Sequence, residues 1–374
     1  MGKIAYCIRP QYENGGDGIQ VIKTREYLLD IHPELDIQII TSPDELTSDF
    51  ELAHIFNYAS TQITKCFFNK AKELGIPVVS SPIFWDYTYS IQPLPLNFKF
   101  YKTFISERYV LFYRFLNNFI AELPFKKIQI IYHNVTRKFR RDIKSFVEGS
   151  ILILPNSEEE GRKCCDFAGL SSSEYRKIRV VFNGVDVKNV KVLPKEEFFL
   201  KYKIPENYIL QVGRIEYLKN HLNLIQSMVN HPEIPIVIVG NTPGTAYIDK
   251  LKEVGGKRGN VHFVSGVPHD DIYSFYYYAK VHVLLSLRES PGLVSLEALS
   301  QSCPVVISDD RFLPVKTYFT DQYESVNPFD RKAIEEAVMK SYIKEHKPVD
   351  LSCFSWNHVA EQTYQAYKEV LRDA

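Results

Sequence analysis

Glu289 and Glu297 bracket the stretch Ser290-Pro291-Gly292-Leu293-Val294, and Arg214 and Lys219 stand five positions apart in Gly213-Arg214-Ile215-Glu216-Tyr217-Leu218-Lys219-Asn220. Carboxylates accept hydrogen bonds from hydroxyls, whereas an arginine fork and a lysine ammonium together hold the oxygens of a diphosphate. Between the glutamates a helix start is expected, with Ser290 as N-cap and Pro291 at the first helical position. The amides near Gly292 and Leu293 would then face an anion. Glu297 lies roughly 9 Å further along that axis, at about 1.5 Å per residue counted from Pro291. Acids at two depths beside one anion site suit a ligand with hydroxyls on both sides of a phosphate, the layout of a sugar nucleotide.

Strands and crossovers must bring these residues together. Val281-His282-Val283-Leu284-Leu285 is too short for a helix and apolar enough for a strand buried on both faces. Leu293, Leu296 and Leu299 follow at helical spacing, and Pro304-Val305-Val306-Ile307 reads as the next strand. Upstream, Tyr208–Val212, Ile236–Val239 and Val261–Val264 read as strands, followed by glycine turns at Gly213, Gly240 and Gly266-Val267. The N-terminal half repeats the pattern at Ile4–Ile8, Ile37–Ile40, Ala53–Phe56, Val78–Ser80, Ile151–Leu154 and Val180–Phe182. Helical periodicity between strands predicts parallel sheets with crossovers, and 374 residues exceed what one core usually holds. Gly15-Gly16 falls in a turn between the first strand and the first helix, where glycine lets backbone approach a ligand. It is not the G-x-G-x-x-G of dinucleotide binding. An Asn-Gly turn at Asn183-Gly184 marks the passage to the second half, with a linker expected near Asp186–Pro194.

The segment from Glu289 through Leu299, followed by Cys303-Pro304-Val305-Val306, resembles the E-x7-E signature of family 4 retaining glycosyltransferases. Arg214 with Lys219 resembles that family's diphosphate clamp. The resemblance covers nearly the whole chain and is densest from Tyr208 to Asp330. It implies an α/β GT-B architecture: two Rossmann-like domains, 1–187 and 195–355, facing across a cleft, with a terminal helix over 356–374 crossing back to the first. It also implies a nucleotide-diphosphate sugar donor. Glu297 would accept the ribose hydroxyls, and Glu289 with the amides of Gly292, Leu293 and Val294 would hold the sugar and its phosphate. Arg214 and Lys219 would steady the departing diphosphate, Val267 would contact the base, and Gly15-Gly16 would close on the phosphates. The catalytic weight falls on Arg214, Lys219 and Glu289. Where the family often carries a sugar-contacting histidine, this sequence has Ser81-Pro82-Ile83-Phe84-Trp85-Asp86, so that role is not transferable. Trp85 or Asp86 is the candidate for that space.

Formal net charge is zero, so no overall basic excess points to nucleic acid as a partner. No cofactor and no metal are expected, because His269-Asp270-Asp271 and Asp309-Asp310 lack partner ligands at metal spacing. Cys7, Cys66, Cys164, Cys165, Cys303 and Cys353 show no paired spacing and read as reduced thiols. The apolar start at Lys3–Ile8 stops at Arg9, unlike a secretory signal, and no apolar run reaches the length of a membrane span. The expected location is the cytoplasm, with at most peripheral contact with the inner face of a membrane. From Asn97 to Lys144 eleven Lys or Arg stand against three acids, interleaved with aromatics. Two readings of 97–144 stay open: a segment lying on an anionic membrane surface, and a solvated face beside a packed helix.

With the resemblance, the expected activity is retaining transfer of a sugar to a glycan or lipid-linked glycan acceptor. Two competing readings are a sugar-nucleotide-binding protein without turnover, which the missing histidine permits, and a GT-B nucleotide-sugar epimerase. The base, the sugar, the acceptor, the linkage and the oligomeric state are not legible.

Overall fold

The structure is a computed structural model that describes residues 2–85, 137–186, 190–241 and 245–372. The chain forms two compact units, residues 1–183 with 356–374 and residues 184–355. The expectations for Asp86 and for positions 97–136 of the basic segment lie outside the described residues.

In the first unit β1 (Lys3–Cys7), β2 (Asp36–Ile40), β3 (Phe50–Phe56), β4 (Val78–Ser81) and β5 (Leu152–Ile153) form a parallel sheet in the order β2-β1-β3-β4-β5. Successive side chains of a strand point to opposite faces. Ala5, Cys7, Ala53 and Ile55 accordingly enter one core while Ile4, Tyr6, Leu52 and Phe56 enter another. The second core includes Trp356, Val359, Ala360 and Tyr367 of the C-terminal helix Trp356–Arg372. That helix is pinned by a buried relay: the Tyr367 hydroxyl donates to the Tyr6 hydroxyl at 2.8 Å and lies 2.6 Å from His54 Nδ1. The helix Arg137–Gly149 spends its apolar face on the other core through Phe139, Ile143, Phe146 and Val147, leaving Lys138, Arg140, Arg141 and Lys144 exposed.

The second unit holds β6 (Ile209–Val212), β7 (Ile236–Val239), β8 (Val261–Val264), β9 (Val281–Leu284), β10 (Val305–Ser308) and β11 (Tyr323–Val326), all parallel, in the order β11-β10-β9-β6-β7-β8. The chain starts at β6, runs outward to β8, then returns to β9 and runs the other way. The direction therefore reverses between β6 and β9, and the crevice outside the carboxyl ends of those two strands is where an open α/β sheet takes its ligand.

Two expectations need correction, and one strand was not expected. Val180–Phe182 is not a strand: it runs extended beside β5, with Arg179 N donating to Ile153 O at 2.9 Å and Val181 N to Pro155 O at 3.0 Å, and forms only an isolated bridge at Ile178. Tyr323–Val326 is a strand that half-polar Tyr-Glu-Ser-Val did not announce; its partner β10 supplies the ladder. The residues from Gly184 belong to the second unit, where Val185 N donates to Phe354 O at 2.8 Å, and Leu193 is held by the Ser274 hydroxyl at 2.9 Å. No helix among the described residues is long and apolar enough to cross a membrane.

Candidate functional site

The loop after β6 carries Arg214 and Lys219. It turns through a short 3-10 helix, Tyr217–Lys219, and leaves through Asn220 at φ 56°. Several ties shape it. Leu287 N, from the loop after β9, donates to Leu218 O at 2.8 Å, and the Asn220 side-chain amide donates to Pro328 O at 2.8 Å. Gln211 Nε2 donates to Lys219 O at 2.7 Å. The loop after β9 is fixed in turn by Glu289 N donating to Phe312 O at 2.9 Å.

These ties bring the Lys219 ammonium onto the Glu289 carboxylate, in a pair whose side chains are 18% and 13% exposed. The Lys219 stem passes Gly213, where an added Cβ would stand 3.6 Å from Lys219 Cε. Arg214 does not join the pair. Its side chain is 62% exposed and rests on Glu216 at 3.2 Å, a surface ion pair of small energetic weight.

The helix beyond Glu289 begins later than its sequence suggested. It spans Leu293–Ser300, with Gly292 rather than Ser290 as the residue before it. Gly292 has φ +88°, a left-handed conformation that no continuing helix passes through, and an added Cβ would press on Leu284 Cδ2 at 3.0 Å. The amides without intrahelical acceptors are consequently those of the first turn at Leu293 and Val294. Glu297 lies four residues after Leu293, about 6 Å along the axis at about 1.5 Å per residue, rather than 9 Å. Its carboxylate accepts from the Tyr276 hydroxyl at 2.9 Å. Burial raises the Glu297 carboxyl above its ordinary range; His269 and the Tyr276 hydrogen bond pull the other way, and Asp186 adds to the rise.

Val267 follows β8, two strands from β6, so at about 4.8 Å per strand spacing its backbone is offset by about 10 Å from the Arg214–Lys219 loop. That span matches the reach from a diphosphate to a base. Gly266 is held there by its N–H donating to Asn241 Oδ1 at 3.2 Å.

Gly15 and Gly16 belong to the first unit and open the helix Gly16–Ile31 after the loop from β1. Their loop is clamped by Arg9, whose guanidinium makes two 3.0 Å bonds to Asp17, and by Asn57, which donates to Asp17 at 2.8 Å. An added Cβ at Gly16 would meet nothing within 4 Å, so packing does not require glycine there. Gly18, which sequence reasoning passed over, is the demanding position: a Cβ would stand 1.9 Å from Tyr12 O.

Trp85 is buried, with the Lys163 ammonium 4.7 Å from its ring centre, and offers no exposed sugar-stacking face. Asp309 pairs with Arg311, and no group of three His, Cys, Asp or Glu among the described residues is arranged to hold a metal. The six cysteines are unpaired. Sequence reasoning missed Gln211, Glu216 and Tyr276 as well. Gln211 left a signal, one amide in the apolar run Tyr208–Val212; the partners of Glu216 and Tyr276 come from tertiary contact.

The model of the family described as glycosyl transferases group 1 matches residues 194–352. The matched residues lie within the second unit. An uncharacterized glycosyltransferase of Methanocaldococcus jannaschii is 27% identical over 210 residues, covering 51% of this chain and 54% of that protein. O-antigen chain mannosyltransferase B of Escherichia coli is 28% identical over 184 residues, covering 45% and 48%. This chain thus spans about half the length of the curated relatives it matches. In fold, sucrose-phosphate synthase from Thermosynechococcus elongatus superposes with a TM-score of 0.67 at 15% identity, covering 100% of both chains. The α/β fold with two parallel sheets is that of the GT-B glycosyltransferases.

Proposed function

We propose that this protein is a group 1 glycosyl transferase, an enzyme that moves a sugar, with retention, from a nucleotide-diphosphate sugar to a hydroxyl of a glycan or lipid-linked glycan. The observation that carries the reading is the Lys219–Glu289 contact at the reversal of strand order, with the helix Leu293–Ser300 beginning beside it. One relative's name, O-antigen chain mannosyltransferase B, supports a glycan acceptor and a hexose as the group moved.

In this reading the donor diphosphate becomes the counter-ion of Lys219, and Arg214 swings from Glu216 to meet it. Glu289 and the amides of Leu293 and Val294 hold the sugar and its phosphate, Glu297 holds the ribose hydroxyls, and Val267 flanks the base. As the bond from the anomeric carbon to the phosphate oxygen breaks, negative charge grows on the leaving diphosphate. Fixed cations stabilise that charge without reorganising. The acceptor oxygen bonds the same face of the anomeric carbon, and its proton passes to the departing phosphate oxygen. No residue is assigned as a general base, and no metal is assigned to the diphosphate. Cytoplasmic location and peripheral contact with an anionic membrane through 97–144 belong to the same proposal.

Thermal shift against UDP-, GDP-, ADP- and TDP-sugars tests the donor, because a ligand bound only by the folded state stabilises it by about 2.7 kcal/mol at a hundred times its dissociation constant. One base is expected to raise the midpoint. A flat response across the panel counts against the proposal, and transfer with an inverted anomeric centre in the product counts against retention. Inversion at another ring carbon of the donor would favour an epimerase.

A further inference from the structure

Lys219 does its work only if its backbone is held. Its ammonium sits on Glu289, its stem runs beside Gly213, and the turn that carries it is tied down at Leu218 O and at Asn220. The remaining tie is unusual in origin. Gln211 lies in β6, a central strand, fully buried between Leu210 and Val212. Strands of this kind are built from apolar and β-branched residues. The Gln211 amide reaches across the strand end to donate to Lys219 O at 2.7 Å, and its own Oε1 has no partner among the described residues. A buried amide with an unmet acceptor costs stability that an apolar side chain would not. What it supplies is a fixed position for one carbonyl, that of the residue whose cation faces the proposed diphosphate.

We infer that Gln211 is a positioning residue that holds the Lys219 backbone so that its ammonium stands where charge develops in the transfer step. The inference rests on the proposed glycosyl transfer. Gln211 touches neither sugar nor phosphate; it acts through Lys219. Loss of its hydrogen bond loosens the turn while leaving the Arg214, Glu289 and Glu297 side chains in place. The ground-state complex is therefore little altered, and the displaced cation costs rate, since small misplacements of a reacting group are expensive.

The experiment is a double-mutant cycle on the full chain, with turnover measured against the donor that binds and an accepted acceptor. Gln211→Met, of similar length and without the amide, is expected to lower kcat about tenfold, or about 1.4 kcal/mol in barrier, with donor KM changed less than about twofold. In a Lys219→Ala background the same substitution is expected to cost nothing further, because the group it positions is gone. Three results overturn the inference: wild-type kcat in Gln211→Met, a raised donor KM with unchanged kcat, or an equal tenfold loss in the Lys219→Ala background. Gln211→Leu, with thermal unfolding measured beside turnover, guards against collapse. A loss of kcat that tracks a loss of folded protein in both variants also overturns it. If Lys219→Ala alone turns over normally, the proposed transfer mechanism fails with it; if Lys219→Ala is impaired and Gln211→Met is not, only the positioning role fails.

Discussion

Lowering the pH from 7 to 5 should weaken the second unit, because two imidazoles are sealed inside it. His221, which opens the helix after the Lys219 turn, and His282, in β9, are both fully buried, and burial aided by the Lys219 charge depresses each to about 3. The unfolded chain binds their protons near 6.5. A folded pKa below the unfolded one gives stability that is complete above about 6.5 and drains away as pH falls toward about 3. At pH 5, about 1.5 units into that window, each ring should cost about 2 kcal/mol, or about 4 kcal/mol for the pair. Whole domains are stable by only about 5 to 15 kcal/mol. Glu297 opposes the effect, because burial raises its carboxyl and the folded state takes up that proton first. The substitution, rather than the total slope, therefore isolates the histidines. Urea unfolding of His282→Gln and His221→Gln at pH 7 and pH 5 should show the drop between the two pH values shrink by about 2 kcal/mol in each. Both tryptophans, Trp85 and Trp356, lie in the first unit, so far-UV circular dichroism must follow the second. A full wild-type drop in His282→Gln would refute the reasoning.

Three further outcomes follow from single contacts. Gly18→Ala should destabilise the first unit by about 1 to 3 kcal/mol through overpacking, since its Cβ would strike Tyr12 O, whereas Gly16→Ala, with open space around it, should leave the urea midpoint nearly unchanged. Tyr276→Phe removes the hydrogen bond to Glu297 and should raise the donor dissociation constant by about tenfold in calorimetry, the weight of a bond to a charged acceptor; an unaltered constant argues against Glu297 as the ribose acceptor. Reversing Lys138, Arg140 and Arg141 to glutamate should weaken sedimentation with anionic liposomes at low salt by about 1 kcal/mol per charge, because these side chains are exposed on the helix Arg137–Gly149. Unchanged binding ends the membrane reading for that helix, whose apolar face is already occupied by the core.

The strands were legible where both faces are buried. Ile236–Val239 coincides with β7 to the residue, because a run of four apolar residues between turns fits little else, and the half-buried edge strand β8 was found through its β-branched and aromatic Val-His-Phe-Val. Tyr323–Val326, at the sheet edge, places Glu324 and Ser325 side by side and was visible only through its pairing with β10. In the site, residue types marked the Lys219 and Glu289 loops, yet the meeting of those two side chains depends on β6 lying beside β9, a neighbour relation that no local pattern encodes. The helix start was misread because Ser-Pro is a common opening for a helix, while the left-handed backbone at Gly292 comes from how the loop folds back over Leu284. Arg214 was expected beside Lys219 from spacing alone, and its resting place on Glu216 shows that five residues across a 3-10 turn point two cations in different directions. The glycine pair drew notice for its composition; the steric demand falls on Gly18, which only the position of Tyr12 O exposes.

The most direct test of the account is Lys219→Ala, with donor affinity measured by calorimetry and turnover measured at saturating donor and acceptor. Loss of one preorganised group that stabilises developing negative charge costs about 100- to 1,000-fold in kcat, and the account predicts a loss of that size with a donor dissociation constant raised less than about tenfold. Normal turnover with only weakened donor binding would contradict it.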